Sequence, residues 1–310
     1  MGGSSTSATR PSSASPRSGR ASARSGSPGD RGLGRGALRS LAERHGIRPR
    51  KSLGQHFLAD PNLARAIVAD ARIREGDRVL EVGAGLGSLT VALAEAGCEL
   101  LAVEFDRALL PALREVLAPH PGVRLEVLDA MRVDWEHLLP GRGWAMVSNL
   151  PYNVSVPLLV GMLETVPAID RYLVMVQREV GERLVAGPGE EAYGAVSLHV
   201  AYRARAEVVR RVPASVFWPA PSVGSVLVRL TPHDPPVDVD PVGLFRVVDE
   251  GFAERRKTMG NAVRRLGCQI GDAIRILRGS GIDPAERAER LDLDDFARLT
   301  RSLVAEGWRP

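Results

Sequence analysis

The chain has 310 residues of which 44% are hydrophobic, enough for one large domain with a smaller one beside it. No apolar run reaches bilayer length, and Cys98 and Cys268 stand far apart without histidines at ligand spacing; a membrane span, a metal site and a disulfide framework are therefore excluded, and a cytoplasmic protein is expected. The net charge of +4 is unevenly spread: residues 1–51 hold eleven basic and two acidic side chains, a net +9, so the rest of the chain carries −5.

The N-terminal stretch "MGGSSTSATRPSSASPRSGRASARSGSPGDRG" has no large apolar residue between Met1 and Leu33. It cannot bury a core, and residues 1–45 are expected to be a disordered basic arm. Its Gly and Pro content and lack of an apolar face argue against a transit peptide, and no secretory apolar region is present. The charge suits a polyanion, although a chain with 39 Arg against two Lys owes part of that basicity to its composition.

Regular structure is expected from "DPNLARAIVADA", where Asp60 caps a helix that begins at Pro61 and turns Leu63, Ile67 and Val68 to one face. Five short apolar runs follow, at 78–82, 99–104, 123–128, 144–149 and 172–177, with helical patterns between them. This alternation predicts an α/β fold with a parallel sheet covered on both faces. Beyond residue 195, "AVSLHVAYRARAEVVRRV" and "SVGSVLVRL" read as longer, antiparallel edge strands. A linker rich in Pro and Asp leads to a helical segment over 241–310. The expected organisation is therefore the arm, an α/β domain over 46–235 and a helical domain over 236–310.

"LEVGAGLGSLT" joins the first strand of the sheet to its helix. Glycines at 83, 85 and 87 permit a tight turn and a close approach to a ligand. A dinucleotide fingerprint needs its third glycine at 88, where the chain has Ser88; the spacing E-x-G-x-G-x-G is the one S-adenosylmethionine enzymes favour. Glu104 closes the second strand, where it can accept hydrogen bonds from both ribose hydroxyls. Asp129, at the third, can accept from the adenine amino group.

"SNLPYNVS" ends the fourth strand. The Asn149 side-chain oxygen and the Leu150 carbonyl can both accept from one planar amino group. Pro151 fixes the turn that aims them, and Tyr152 offers a face for a base. Two acceptors on an exocyclic amine draw its nitrogen toward sp³ geometry and direct the lone pair at a methyl sulfonium, so that catalysis rests on positioning and electrostatics. Phe217 in "VFWPAPSV", held by flanking prolines, is expected to supply the second stacking face.

Taken in order, "RKSLGQHFL", "LEVGAGLGSLT", "VEFD", "SNLPYN", "VQREVGERLVAGPGEEAYG", "VFWPAPSV", "FAERRKTMGNAV" and "GIDPAERAE" make the chain resemble the ribosomal RNA small-subunit adenine dimethyltransferase family, whose loss in bacteria gives kasugamycin resistance. The resemblance implies a Rossmann-like class I methyltransferase sheet with a small helical C-terminal domain, and S-adenosyl-L-methionine as cofactor. It implies that His56, Leu58, Gly83, Gly85, Glu104, Asp129 and Asn149 contact the cofactor, with Asn149, Leu150, Pro151, Tyr152 and Phe217 at the target. It further implies dimethylation of two adjacent adenosines in the hairpin near the 3′ end of 16S rRNA, within an immature 30S subunit. By the same resemblance, "ERRK" (254–257) and the C-terminal helices help hold the particle; a monomer is expected. Ser222 and Gly224 depart from the basic and acidic residues usual there, which puts one contact near the target loop in question. The rival readings are a macrolide-resistance 23S rRNA methyltransferase, a non-catalytic assembly or transcription factor on the same scaffold, and a nicotinamide oxidoreductase.

Overall fold

A computed structural model describes residues 1–4, 32–254 and 256–310. In chain order it runs α1 (Arg35–Arg44), β1 (Phe57–Leu58), α2 (Pro61–Asp70), β2 (Arg78–Val82), α3 (Ser88–Glu95), β3 (Glu99–Glu104), α4 (Leu110–Leu117), β4 (Arg124–Val127) and the single turn α5 (Trp135–Leu138). Then come β5 (Trp144–Asn149), α6 (Ser155–Thr165), β6 (Ile169–Gln177), α7 (Arg178–Val185), α8 (Ala195–Arg203), β7 (Ala204–Val212), β8 (Phe217–Trp218) and β9 (Ser225–Pro232). Four helices close the chain: α9 (Pro241–Ala253), α10 (Met259–Arg265), α11 (Ile270–Gly279) and α12 (Leu293–Ala305).

The main sheet has seven strands in the order β4-β3-β2-β5-β6-β9-β7. The first five are parallel, and β9 runs antiparallel to both β6 and β7. Strand side chains alternate between faces, so successive apolar residues feed two different cores. Val79, Leu100, Ala145 and Leu173 meet α2 and α3 on one face; Leu80, Leu101, Met146 and Tyr172 meet α6, α7 and α8 on the other. Helix α2 starts as its sequence requires, with the Asp60 carboxylate accepting from Asn62 N and Leu63 N and Pro61 in the first turn. Such a cap is worth about 1 kcal/mol.

Two expectations are corrected. The long strand expected over 195–212 forms only in its second part, β7; residues 195–203 form helix α8. Ser197 Oγ accepts from Gly194 N at 3.1 Å and donates to Arg183 O at 2.6 Å, which fixes the helix start against α7. The disorder expected to reach residue 45 does not extend over Arg35–Arg44, which is helical. Leu38, Leu41 and Ala42 lie on one helical face and are buried against Phe57, Leu86 and Leu109. Arg44 and His45 both reach Glu115 on α4. The part of the arm over residues 5–31 lies outside the described residues.

Helices α9 to α12 surround an apolar core of Leu244, Val247, Met259, Ile276, Phe296 and Leu303. Tyr193, Leu198 and Tyr202 belong to the same core, so α8 and the loop before it tie the helical cluster to the sheet. Among the described residues no helix is long and apolar enough to cross a membrane.

Candidate active site

The strand order reverses between β2 and β5, where open α/β sheets bind ligands beyond their carboxyl ends. The β2–β5 ladder runs from Arg78–Trp144 to Leu80–Met146 and then opens. Past that point Val82 N donates instead to Ser148 Oγ at 2.9 Å, and Gly83 N turns to Val103 O at 2.8 Å. The two strands therefore part into a cleft at the level of the glycine loop.

Gly83 has φ +84°, a conformation that suits glycine, and a Cβ there would lie 3.3 Å from Pro151 Cδ and 3.5 Å from Asn149 O. The glycine at 83 thus lets the first βα loop pack directly on the "NLPY" turn. At Gly85 (φ +59°) a Cβ would come within 3.1 Å of the Phe57 ring. Both sequence motifs consequently form one wall.

Glu104, the last residue of β3, is 7% exposed. Its Oε2 accepts from Gly85 N at 2.8 Å and its Oε1 from Asp106 N at 2.7 Å. Burial raises its pKa, and those backbone bonds oppose the shift. Each carboxylate oxygen keeps a second lone pair, so a diol can still be received. Asp129 sits in the turn after β4, where Oδ1 accepts from Met131 N at 3.0 Å. Glu81, Ser88, Phe105 and Met131 also line the cleft. Sequence reasoning assigned no role to these four. The signal for Phe105 was available, since a large aromatic directly after Glu104 is 58% exposed.

At the end of β5, Asn149 Nδ2 donates to His56 O at 3.2 Å, while Asn149 Oδ1 is buried with no hydrogen-bond partner. Leu150, Pro151 and Tyr152 follow along the same wall. The Tyr152 hydroxyl is engaged with Ser225 Oγ at 2.7 Å, and its ring lies 5.3 Å from the His56 ring at 30°. His56 Nδ1 donates to Pro219 O at 2.7 Å. Leu58 lines the cleft from β1.

Phe217 is the exception among the expected site residues. It has no exposed surface, pairs with Leu58 across the β1–β8 ladder and packs into the core on the α2/α3 face of the sheet. It does not line the cleft. Its pairing with Leu58, continued by Ala59 N donating to Val216 O at 2.7 Å, places the ring in the core. The other ten expected residues share one cleft. Its orphaned Asn149 oxygen, buried carboxyls and apolar walls fit a nucleoside cofactor carrying positive charge together with a flat amine-bearing base. Among the described residues no group of three or more His, Cys, Asp or Glu could hold a metal ion.

A family model described as ribosomal RNA adenine dimethylase matches residues 46–304. The chain is 43% identical over 280 residues to the ribosomal RNA small subunit methyltransferase A of Cutibacterium acnes, covering 87% of this chain and 94% of that protein. It is 42% identical over 277 residues to the protein of the same name from Streptomyces coelicolor, covering 88% and 97%. Among solved structures, a dimethyladenosine transferase from Plasmodium falciparum superposes with a TM-score of 0.70 at 22% identity, covering 82% of this chain and 99% of that one. The 23S rRNA methyltransferase ErmE superposes with a TM-score of 0.60, also at 22% identity, covering 80% and 99%. At that identity both structures show a shared class I methyltransferase fold.

Proposed function

Because the chain belongs to the ribosomal RNA adenine dimethylase family, we propose that its cleft brings S-adenosyl-L-methionine and an adenosine of small-subunit rRNA together, with Asn149 and Leu150 gripping the adenine amine. The cofactor supplies an electrophilic methyl on a sulfonium. With it bound, the amine nitrogen would gain the methyl as the S–C bond breaks, S-adenosylhomocysteine would leave, and one amine proton would pass to water. A second round gives the dimethylated base.

The observation that carries this reading is the buried, partnerless Asn149 Oδ1 beside the "NLPY" turn. A polar atom left unmatched in the free protein costs stability, and an incoming N–H relieves that cost. Asn149 Oδ1 and Leu150 O then hold the two amine hydrogens, and Tyr152 and Pro151 set the plane of the base. Glu104 receives the ribose hydroxyls, Asp129 the cofactor adenine, and His56, Leu58, Gly83 and Gly85 close around the remainder. No general base of shifted pKa is needed, since positioning alone is worth roughly 7–11 kcal/mol in favourable cases.

The relatives' name supports small-subunit rRNA as the substrate. We assign the target to the two adjacent adenosines in the hairpin near the 3′ end of 16S rRNA in an immature 30S particle, with the protein acting as a cytoplasmic monomer. In this reading residues 46–235 perform the chemistry, and the helices over 236–310, with the exposed Arg256 and Lys257, grip the particle. Asn149→Ala should lower single-turnover transfer by at least about a hundredfold, as for loss of a transition-state hydrogen bond, while particle binding is kept. Transfer surviving within a few-fold would rule out the amine grip. Mapping dimethyladenosine in 16S and 23S rRNA of a deletion strain tests the substrate; a lost mark in 23S alone would overturn it.

A further inference from the structure

We propose that the strap over residues 50–58 sets the orientation of the Asn149 amide, and that Gln55 and Asp106 are the positioning residues that hold the strap in place. The proposal rests on the reading of Asn149 given above. An asparagine amide can turn either end toward the cleft, and only one end accepts. With the amide reversed, Asn149 would offer N–H groups to an amine that itself donates, and transfer would lose its acceptor.

The His56 carbonyl decides between the two orientations, because it accepts from Asn149 Nδ2 at 3.2 Å. Reversal would set the Asn149 oxygen against that carbonyl oxygen. The carbonyl is a backbone group, so its position depends on the strap. Gln55 uses both ends of its own amide there: Oε1 accepts from Arg50 N at 2.8 Å, and Nε2 donates to Asp106 Oδ2 at 2.7 Å. The Arg50 guanidinium donates to the other oxygen of Asp106.

Asp106, 6% exposed, also donates from its backbone N to Glu104 Oε1 at 2.7 Å. At the other side of the strap, a Cβ on Gly54 would come within 3.0 Å of Tyr152 N, so the strap lies flush on the "NLPY" turn. Hydrogen bonds thus link Gly85, Glu104, Asp106 and Gln55, and the Gln55–His56 peptide carries the linkage to the His56 carbonyl and Asn149. Cofactor seating and readiness of the amine acceptor are linked through this path.

The test uses the full-length protein with immature 30S particles and S-adenosylmethionine. The side-chain amide resonances of Asn149, assigned by their loss in Asn149→Asp, are followed by ¹⁵N NMR in the free protein. Gln55→Ala should shift or broaden them and lower the rate at saturating cofactor by about tenfold, the size of one lost hydrogen bond. Gln55→Glu, which sets a carboxylate against Asp106, should do the same. In the Asn149→Asp background both side-chain oxygens accept, so orientation no longer matters and Gln55→Ala should cost less than about twofold further. Unchanged Asn149 resonances in both Gln55 variants overturn the proposal. So does a loss confined to cofactor affinity with the saturated rate intact. If Asn149→Asp is too slow to assay, the resonances decide alone. If Asn149→Ala remains active, the amine-grip reading fails, whereas the resonances still report on the strap.

Discussion

Glu81 lies in β2 two residues before Gly83, is 1% exposed, and lines the cleft with its Oε2 unpartnered. Burial pushes its pKa up to about 8, and the neighbouring Glu104 charge adds to the rise. The folded protein therefore holds a proton that the unfolded chain gives up near pH 4.5. Stability of the free protein should fall as pH rises between those values, and Glu81→Gln should remove that slope. A cationic cofactor entering the cleft favours the carboxylate, so binding at pH 7 should release up to about one proton. Calorimetry in buffers of different ionisation enthalpy measures this; heats that do not change with buffer would mean that Glu81 keeps its proton. A single glutamate ahead of a glycine motif gives no sign in sequence of how deeply it is buried. The sequence does reveal Glu104 and Asn149, because each ends an apolar strand. Phe217 was misassigned because an aromatic between prolines looks the same in sequence whether it faces a pocket or a core.

Helix α8 joins the sheet to the C-terminal helices, and His199 is its fastening point. The side chain is 17% exposed, with Nδ1 at 3.4 Å from Glu164 on α6 and Nε2 at 3.2 Å from Asp249 on α9. Its ring stacks on Phe245 at 4.0 Å. Burial favours the neutral ring, but the two carboxylates outweigh it and raise the pKa. The added stability is therefore fully present below the ordinary histidine range and fades as pH rises through the raised value. His199→Gln should destabilise the protein by about 1 kcal/mol at pH 6, given the exposure of Asp249, and by less at pH 9. Thermal melts at the two pH values check this, and equal losses would leave the ring stack as the whole contribution. The apolar residues that make 195–212 resemble one long strand include Leu198, Val200 and Tyr202, all of which are buried. The strand expectation failed on type, because a short segment packed by α6, α7 and α9 has apolar neighbours on several sides.

Across the whole molecule, positive charge is concentrated before residue 52, while every described cleft residue comes after it. Residues 1–31 hold five Arg and one Asp. If they meet phosphates, deleting them should weaken binding to immature 30S particles and flatten its salt dependence, because fewer counterions are released. The rate at saturating substrate should stay the same. Deletion through residue 46 differs physically, since it strips Leu38 and Leu41 from Phe57, Leu86 and Leu109. Burial of those two leucines is worth roughly 3–6 kcal/mol, an upper figure before relaxation. A lower melting temperature should therefore appear only in the longer deletion. Identical salt slopes for the full-length protein and the 1–31 deletion would leave the arm without an RNA role.

The sequence by itself determined the strand ends, the glycine loop, the "NLPY" turn and the absence of an apolar run of membrane length. These depend on local rules: alternation of burial, backbone conformations that favour glycine, and proline's fixed φ. Only the tertiary structure decided which end of the Asn149 amide the His56 carbonyl holds, that Phe217 is core, that α1 packs against β1, and that residues 195–203 coil. Each of these depends on a partner far along the chain: His56 for Asn149, Leu58 for Phe217, Leu109 for α1 and Phe245 for α8. Side-chain orientation and burial are set by what the fold brings alongside, and a single sequence does not specify that neighbour.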